Sequence, residues 1–433
     1  MKTQALPGFR DFYPDDLAVR THIFQTWRTV ATRYGFEEYD GPPLEPLDLY
    51  TAKSGDEIVG QLYNFTDKGD RQVALRPEMT PTLARMVAAQ AGKLRKPIRW
   101  FSIPQLFRYE RQQRGRLREH FQLNCDLIGE PGPLADAEII ALAIDAVRAF
   151  GLGPEHVRVR LSDRRVLTSI LEHRGVPASG IGKAFDFIDK VERLRKEQLE
   201  EFTTRPQAFA PATVFDLQDI SRIRGWDQLE KELGGSPELS KVADPLRETH
   251  QSLVAMGLGD FVEIDLTIVR GLAYYTGVVF EVFDAGRTLR AICGGGRYDN
   301  LLDAVGGVSL PAVGFGMGDV VLGELLKDRN LLPADVSSID VFLAFISPQD
   351  QRHVLSLAHQ LRDAGLRAEY ALSLQAVGKQ LKLADARHAR LAVVVGPDEW
   401  ARGEVMIKDL RSGSQEAVSV HSIVNTLKAR IHG

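Results

Sequence analysis

The chain has 433 residues, a hydrophobic fraction of 44% and a formal charge of −4, which comes from 54 lysines and arginines against 58 aspartates and glutamates. At roughly 100 to 200 residues per domain, this length predicts two or three domains with cores of their own and excludes extensive disorder. The balanced charge excludes a uniformly basic protein that coats nucleic acid, but it does not exclude local basic patches.

Hydropathy and cysteine content predict a cytoplasmic protein without a membrane partner. Apolar runs such as 341–346 are far shorter than the roughly 18 residues that span a bilayer. The N-terminal segment turns acidic at Asp11 and lacks the apolar stretch of a signal peptide. Cys125 and Cys293 are too few for a disulfide framework, and the histidines show no metal-ligand spacing, so we expect no protein-bound metal.

The first part of the chain predicts helices around antiparallel strands. Apolar residues recur at helical spacing between Pro14 and Gly35, and another helix is predicted over 136–150. Two strand pairs lie between these helices, and a basic loop at 110–116 joins the second pair. The predicted strands are, in chain order, 62–66, 72–75, 98–109 and 118–128.

The later part of the chain changes pattern twice. A charged helical stretch at about 166–257 is followed by strand patterning at 262–268, 278–283 and 288–293, so we interpret the helical stretch as an insertion. A proline and two serines mark a linker at 331–338, after which strands and helices alternate. The predicted fold class is α+β: an antiparallel sheet flanked by helices, with a helical insertion and a C-terminal α/β domain.

Four segments place charged and aromatic residues on or beside predicted strands. They are 75–80, 107–126, 270–277 and 294–299, and the last precedes a glycine-rich segment at 314–318. Guanidinium groups match phosphate oxygens, aromatic faces stack on a purine, and glycine lets the backbone approach a ligand. The combination predicts nucleotide binding on an antiparallel sheet, because the sequence has neither a P-loop nor a Rossmann fingerprint.

Each segment taken alone also has a purely structural explanation. Arg108 can pair with Glu110 on an exposed strand face, and the glycines at 294–296 can form a bulge or a loop. Tyr274 and Tyr275 are more often core residues than ligands. The residues by themselves leave these alternatives open.

The order and spacing of the segments resemble class II aminoacyl-tRNA synthetases, and among them the histidyl-tRNA synthetase family. Pro42 matches the proline of the dimer-forming motif 1, 107–126 resembles motif 2, and 314–318 resembles the start of motif 3. The most specific signatures are Arg270-Gly271-Leu272-x-Tyr274-Tyr275 and Gly294-Gly295-Gly296-Arg297-Tyr298-Asp299. The resemblance covers essentially the whole chain, since 403–405 and 408–410 resemble the family's anticodon-binding domain.

The resemblance implies a catalytic domain at 1–335, with the helical insertion at about 166–257, and an anticodon-binding α/β domain at 339–433. The implied activity is ATP-dependent attachment of L-histidine to tRNA(His) through a histidyl-adenylate, by a homodimer. Neither step needs a protein nucleophile, so catalysis consists of positioning and neutralisation of phosphate charge.

The catalytic residues implied by the resemblance are Arg108 and Arg270, on opposite sides of the α-phosphate. The implied ATP-binding residues are Arg108, Glu110, Arg116, Phe121 and Arg270, with His120 as the alternative to Phe121 for stacking on adenine. Mg²⁺ is implied on the β- and γ-phosphates, while Arg270 takes the place of a metal ion at the α-phosphate.

The histidine site implied by the resemblance consists of Glu78, Met79, Thr80, Arg108, Gln122, Asp126, Arg270, Tyr274 and Tyr275. Glu78, Thr80 and Gln122 match positions for the substrate amino group. Asp126 and Tyr275 match positions that face the imidazole, which can donate a hydrogen bond at one nitrogen and accept one at the other.

Two positions depart from the family pattern. Ala273 stands in place of an aspartate, and Val321 stands in place of the motif 3 arginine that holds the γ-phosphate. A charge-assisted contact of this kind is worth roughly 1.5 to 3 kcal/mol. Arg114, Arg116 or Arg297 could reach the same phosphate.

These departures keep other functions open. One is a catalytically weak or inactive synthetase-like protein that senses histidine or tRNA, or that resembles the regulatory subunit of ATP phosphoribosyltransferase. Another is a nucleotide-binding structural dimer, which leaves the carboxylate and tyrosine at the imidazole unexplained. The basic groups that could contact tRNA, or simply be solvated, are Lys93, Arg95, Lys96, Arg99, Arg111, Arg114, Arg116, Arg118, Lys379, Lys382, Arg387 and Arg390.

Overall fold

The computed structural model describes residues 3–51, 60–110, 113, 115–191, 211–269, 274–286, 289–332 and 339–432. The chain divides into two compact units, Met1–Leu332 (unit 1) and Pro333–Gly433 (unit 2). Within the described ranges, no helix is both long enough and apolar enough to cross a membrane.

Unit 1 combines helices with strands along its whole length. Its helices are α1 (Pro14–Arg33), α2 (Asp48–Thr51), α3 (Thr80–Gln90), α4 (Pro133–Arg148), α5 (Arg164–His173), α6 (Ile181–Lys190), α7 (Pro211–Ile220), α8 (Gly225–Leu233), α9 (Pro237–Val242), α10 (Asp244–Ala255), α11 (Leu301–Gly306) and α12 (Asp319–Asp328). Its strands are β1 (Glu37–Glu38), β2 (Leu44–Pro46), β3 (Asn64–Thr66), β4 (Gln72–Leu75), β5 (Ile98–Ser102), β6 (Gln105–Phe107), β7 (Glu119–Ile128), β8 (Val157–Asp163), β9 (Val262–Ile264), β10 (Val278–Asp284), β11 (Cys293–Arg297) and β12 (Ala312–Gly318).

A nine-stranded sheet organises the described part of unit 1. Its order is β1-β5-β7-β12-β11-β10-β8-β9, with β6 paired to β7 beside this path. The pairs from β5 to β8 are antiparallel, and the pairs at the two ends, β1 with β5 and β8 with β9, are parallel. A smaller antiparallel sheet has the order β2-β4-β3. The predicted α+β class is confirmed.

Alternation along β7 decides which side chains reach each face of the large sheet. Leu123 and Cys125 are fully buried in the main core, which also contains the apolar face of α4. Successive side chains of a strand point to opposite faces. Gln122, Asn124 and Asp126 therefore stand on the other face, where polar residues collect.

Strand β11 differs from the sequence prediction because it contains the three glycines. The sequence pattern predicts a strand at 288–293, whose first residue lies outside the described residues, but the described strand is Cys293–Arg297, paired on both sides. A Cβ atom on Gly295 would lie 2.3 Å from the carbonyl oxygen of Gly314, and one on Gly296 would lie 2.7 Å from that of Val278. Neighbouring backbone thus occupies the space of a side chain, which strand propensities do not register.

Other strands are also shorter than predicted, and two of them have a clear cause. Residues 98–109 form β5 and β6 rather than one strand, and Pro104 lies in the break. Strand β9 ends at Ile264, because the next residue, Asp265, accepts hydrogen bonds from the backbone N–H of Thr267 (2.9 Å) and from its hydroxyl (2.6 Å). Such an aspartate turn takes the chain out of the strand.

Unit 2 is a separate α/β structure with its own core. Its strands are β13 (Val341–Phe345), β14 (Ala368–Tyr370), β15 (Leu391–Val395), β16 (Glu404–Asp409) and β17 (Gln415–Ser419), and its α-helices are α13 (Gln351–Asp363), α14 (Val377–Ala386), α15 (Pro397–Ala401) and α16 (Ile423–His432). The sheet order is β14-β13-β15-β16-β17. The alternation of strands and helices was predicted, and most of the predicted linker, 333–338, lies outside the described residues.

The arginine of the triple-glycine signature is a structural residue. Arg297 is 2% exposed and donates to Asp136 Oδ1 (3.0 Å). It also donates to the carbonyl oxygens of Glu130 and Gly132, both at 3.1 Å. Its guanidinium ties β11 to the start of α4, so Arg297 is not in a position to serve as the spare phosphate ligand suggested above.

Replacing Asp136 should destabilise unit 1 strongly. Asp136→Ala removes the buried carboxylate partner of Arg297 and leaves only the more exposed Asp299 (3.3 Å), which should lower the free energy of unfolding by about 3 to 5 kcal/mol in urea denaturation. Glu38→Ala is the matched control, since it breaks the exposed Arg28–Glu38 pair (2.9 Å) and should cost less than about 1 kcal/mol. Equal losses of unfolding free energy in Asp136→Ala and Glu38→Ala would contradict a structural role for Arg297.

Candidate active site

Two cavities meet on the polar face of the large sheet. The smaller has a volume of about 70 Å³ and the larger a volume of about 620 Å³. Their walls share Arg108, Gln122, Gly294 and Gly316. A ligand in one cavity can therefore be placed next to a ligand in the other, with Arg108 between them.

The smaller cavity contains most of the predicted histidine-binding residues. Its wall consists of Glu78, Thr80, Arg108, Gln122, Asn124, Asp126, Tyr274, Tyr275, Gly294, Tyr298, Gly314, Phe315 and Gly316. The start of α3 brings Thr80, β7 brings Gln122 and Asp126, and the hydroxyl of Tyr274 donates to Glu78 Oε2 (3.1 Å). Strands and helix thus converge on a small polar space.

Asp126 lines the smaller cavity, is 4% exposed and accepts a hydrogen bond from the hydroxyl of Tyr298. Burial raises the pKa of Asp126 to about 7, and the bond from Tyr298 opposes this rise. A Cβ atom on Gly314, opposite Asp126 in β12, would lie 2.1 Å from Asp126 Oδ1. Glycine at this position therefore makes room for the carboxylate.

Two predicted histidine-binding residues do not appear in this wall. Met79 is fully buried beside the Arg76 guanidinium, with its sulfur 3.8 Å from Arg76 Nη1, and it does not line the cavity. Arg270 lies outside the described residues. So do Ala273, Arg111 and Arg114.

The larger cavity has a wall of mixed charge. It is lined by Arg108, Glu110, Gly115, Arg116, Leu117, His120, Gln122, Glu281, Phe283, Leu289, Arg290, Ala291, Ile292, Cys293, Gly294, Gly316, Gly318, Val320, Val321 and Glu324. Arg108 is held by its Nε, which donates to the carbonyl oxygen of Pro77 (2.9 Å). Arg116 forms an ion pair with Glu110. Three of the predicted ATP-binding residues, Arg108, Glu110 and Arg116, thus come together here.

The structure brings His120, and not Phe121, to the larger cavity. Phe121 packs against Phe12 and Phe24 on the opposite face, with ring centroids 6.1 and 5.2 Å away. The cause is strand alternation, because Phe121 shares a face with the core residue Leu123. Burial and the nearby Arg108 lower the pKa of His120 to about 3, so its ring is neutral at physiological pH.

A buried ionic network fixes the start of α12 against β7. Asp319 accepts from the backbone N–H of Phe121 (2.9 Å) and from Arg10 Nη1 (2.9 Å). Arg10 also donates to Glu119 (2.6 Å). Burial raises the pKa of Asp319, and Arg10 opposes that rise. This network sets where Val320 and Val321 meet the cavity.

Sequence reasoning missed several residues of the two walls. Tyr298 was part of a recognised signature, but nothing local indicated that its hydroxyl would reach Asp126. Glu281 gave a signal, since it is the one carboxylate in the apolar run 278–283 of β10. Arg290 and Glu324 gave none, because each is an ordinary charged residue until the fold brings it to the larger cavity.

Comparison with known proteins identifies the fold and the family. A solved histidyl-tRNA synthetase from a Nostoc species superposes with a TM-score of 0.85 at 25% identity, covering 99% of this chain and 100% of that one. The fold and the site thus define an aminoacyl-tRNA ligase of class II architecture. A family model described as "Histidyl-tRNA synthetase" matches residues 8–318, and one described as "Anticodon binding domain" matches 340–430. The chain belongs to the histidyl-tRNA synthetase family.

Curated relatives named histidine–tRNA ligase match this chain over nearly its whole length. A histidine–tRNA ligase of Opitutus terrae is 46% identical over 421 residues, which are 96% of this chain and 95% of the relative. A chloroplastic/mitochondrial histidine–tRNA ligase of Arabidopsis thaliana is 39% identical, over 96% of this chain and 85% of the relative. The similarity includes both units.

The pKa of Asp126 predicts a pH-dependent contribution to stability. An unfolded aspartate has a pKa near 3.9, so between about pH 4 and pH 7 the folded state holds a proton that the unfolded state has lost. The stability from this group is complete below about pH 4 and is lost as pH rises through 7. From pH 4 to pH 8, wild type should lose roughly 2 to 4 kcal/mol more unfolding free energy than Asp126→Asn.

This difference can be measured by urea unfolding of both proteins at several pH values, with Asp303→Asn, an exposed carboxylate, as the control. Parallel pH profiles for wild type and Asp126→Asn would contradict the raised pKa.

Proposed function

We propose that this chain attaches L-histidine to tRNA(His) in two steps at the junction of the two cavities, with histidyl-adenylate as the intermediate. The observation that carries the proposal is the placement of Arg108 in both walls. Histidine in the smaller cavity and ATP in the larger one would meet at this guanidinium.

In the first step, a carboxylate oxygen of histidine attacks the α-phosphorus of ATP. A new phosphorus–oxygen bond forms, the bond to the β-phosphate breaks, and pyrophosphate leaves. Arg108 would neutralise the charge that develops on the α-phosphate, and the carbonyl oxygen of Pro77 holds its guanidinium in place beforehand. Arg270 is proposed to act on the opposite side of this phosphate. In the second step, a ribose hydroxyl of the terminal adenosine attacks the carbonyl carbon, and AMP leaves.

Recognition of histidine rests on groups at both ends of the smaller cavity. Asp126 and Tyr275 are proposed to contact the imidazole, where a carboxylate accepts from one ring nitrogen and a hydroxyl donates to the other. Glu78, Thr80 and Gln122 are proposed to bind the amino group. The bond from Tyr298 to Asp126 would orient the carboxylate, which adds a residue to the predicted set.

ATP recognition is proposed for residues of the motif 2 region. The neutral ring of His120 would stack on adenine, in place of the predicted Phe121, since it lines the larger cavity. Glu110 would accept from the adenine amino group, and Arg116 would contact the phosphates. The ion pair between Glu110 and Arg116 orients both side chains before ATP binds.

The larger cavity also fits Mg²⁺ bound together with ATP. Glu281 and Glu324 line it, and Mg²⁺ is usually held by one or two carboxylates and by substrate phosphates. We propose that these two residues take that role. When bound, the ion would neutralise charge on the leaving pyrophosphate.

The two units are proposed to have separate functions. We propose that unit 1 is the catalytic domain, with the helical insertion at about 166–257, and that unit 2 contacts the anticodon of tRNA. We also propose a cytoplasmic homodimer. The dimer is supported by the match of Pro42 to the proline of motif 1 and by exposed apolar residues on the small sheet, where Phe65 is 50% and Leu44 37% exposed. No observation favours the regulatory, histidine-sensing alternative.

Histidine-dependent exchange between ATP and pyrophosphate tests the proposal directly. Wild type should catalyse the exchange, and Asp126→Asn should raise the KM for histidine roughly tenfold to a hundredfold, because it removes a charged hydrogen-bond acceptor. The KM for ATP should change less than about threefold. Asp303→Asn should behave as wild type, and folded wild-type protein without exchange would contradict the proposed function.

Substitutions in unit 2 can separate the transfer of histidine to tRNA from the formation of histidyl-adenylate. Lys379 and Lys382 are exposed on α14, whereas Arg387 pairs with Glu369 (3.1 Å) and Arg390 donates to the carbonyl oxygen of Ile431 (2.7 Å). The double variant Lys379→Glu/Lys382→Glu should raise the KM for tRNA in aminoacylation at least tenfold, since it removes two cationic phosphate contacts. The rate of histidine-dependent exchange between ATP and pyrophosphate should not change.

The matched control is Lys379→Arg/Lys382→Arg, which keeps both charges and should retain tRNA affinity. If the charge-reversed and charge-retaining variants aminoacylate tRNA equally well, this face of α14 does not bind tRNA.

A further inference from the structure

The larger cavity contains an arginine to which none of the roles above applies. Arg290 precedes β11 and is exposed on the cavity wall. Its guanidinium donates to the side-chain oxygen of Gln113, in the loop between β6 and β7. Arg290 Cδ and Val321 Cγ2 both lie within 4.0 Å of the point where a Cβ atom on Gly115 would stand. Arg290 thus stands where the loop meets the first turn of α12.

The arginines of this wall differ in how their charge is compensated. Arg108 lies at the inner end, where the two cavities join, and Arg116 is paired with Glu110. Arg290 has the neutral amide of Gln113 as its partner and forms no ion pair with a carboxylate of the described ranges. The described wall carries as many glutamates as arginines, but none of these glutamates is paired directly with Arg290, so its guanidinium can bind an anionic ligand without first losing a carboxylate partner.

We propose that Arg290 binds the phosphates of ATP beyond the α-phosphate, the two that leave as pyrophosphate. With the α-phosphate at Arg108, the rest of the triphosphate must extend into the larger cavity, because the smaller one has only about 70 Å³. A guanidinium fork matches phosphate oxygens in geometry and charge. The first turn of α12 offers Val320 and Val321 to the same space, and neither side chain can bind a phosphate.

This inference rests on the proposed function in one respect, namely that ATP occupies the larger cavity. It predicts an effect confined to the outer phosphates. Arg290→Gln should weaken binding of ATP, measured by titration calorimetry, and of pyrophosphate, measured as its KM in the reverse reaction, by roughly tenfold to a hundredfold. Binding of AMP and the KM for histidine should stay within about twofold of wild type.

A control variant must distinguish phosphate binding by Arg290 from its hydrogen bond to the loop between β6 and β7. Gln113→Ala removes the hydrogen bond between Arg290 and the loop but leaves the guanidinium in the cavity, so its ATP affinity should stay close to that of wild type. Arg329→Gln, which removes an exposed arginine at the end of α12, controls for net charge.

Two results would overturn the inference: an equal loss of ATP affinity in Gln113→Ala and Arg290→Gln, or an equal loss of AMP and ATP affinity in Arg290→Gln. A wild-type protein that binds ATP without histidine-dependent exchange would instead refute the proposed function, and the comparison of ATP with AMP would still decide the role of Arg290.

Discussion

The close approach of β7, β12 and β11 is the constraint on which the rest of the site depends. Polar side chains on β7 stand on the sheet face because glycines lie opposite them on β12. A Cβ atom on Gly316 would lie 2.7 Å from the Gln122 carboxamide carbon, and one on Gly314 would lie 2.1 Å from Asp126 Oδ1. Side chains at these two positions would displace Gln122 and Asp126 from the cavity walls that they form.

Burial shifts the pKa values of two groups on the same face of the sheet. Asp126 has its pKa raised to about 7 in a small enclosed space, while His120 has its pKa lowered to about 3 in the neighbouring one. The first group therefore changes its protonation state near neutral pH at the place proposed for the imidazole, and the second presents an uncharged ring at the place proposed for adenine. Desolvation moves both groups toward their neutral forms, and proximity to Arg108 lowers the pKa of His120 further.

Much of the architecture was predictable because it depends on local periodicity. The helices α1 and α4, the antiparallel pairs and the α/β alternation of unit 2 follow from apolar spacing and turn residues. Strand β11 was not predictable in this way, since its glycines disfavour a strand unless neighbouring backbone comes close. Strands β16 and β17 gave only a weak local signal, because the second is mostly exposed and polar.

By itself, the sequence determined the class of fold, the family and the segments that form the site, because these depend on residue order and on spacing along single strands. The tertiary structure decided which members of those segments face the ligand spaces. A single step along β7 separates His120 from Phe121, and Arg297 and Arg290 differ only in what the fold places around them: Asp136 and buried carbonyl groups for the first, the larger cavity for the second. Charge and aromaticity are properties of the residue, whereas its burial, its hydrogen-bond partners and the sheet face on which its side chain lies are decided by the packing of the sheet.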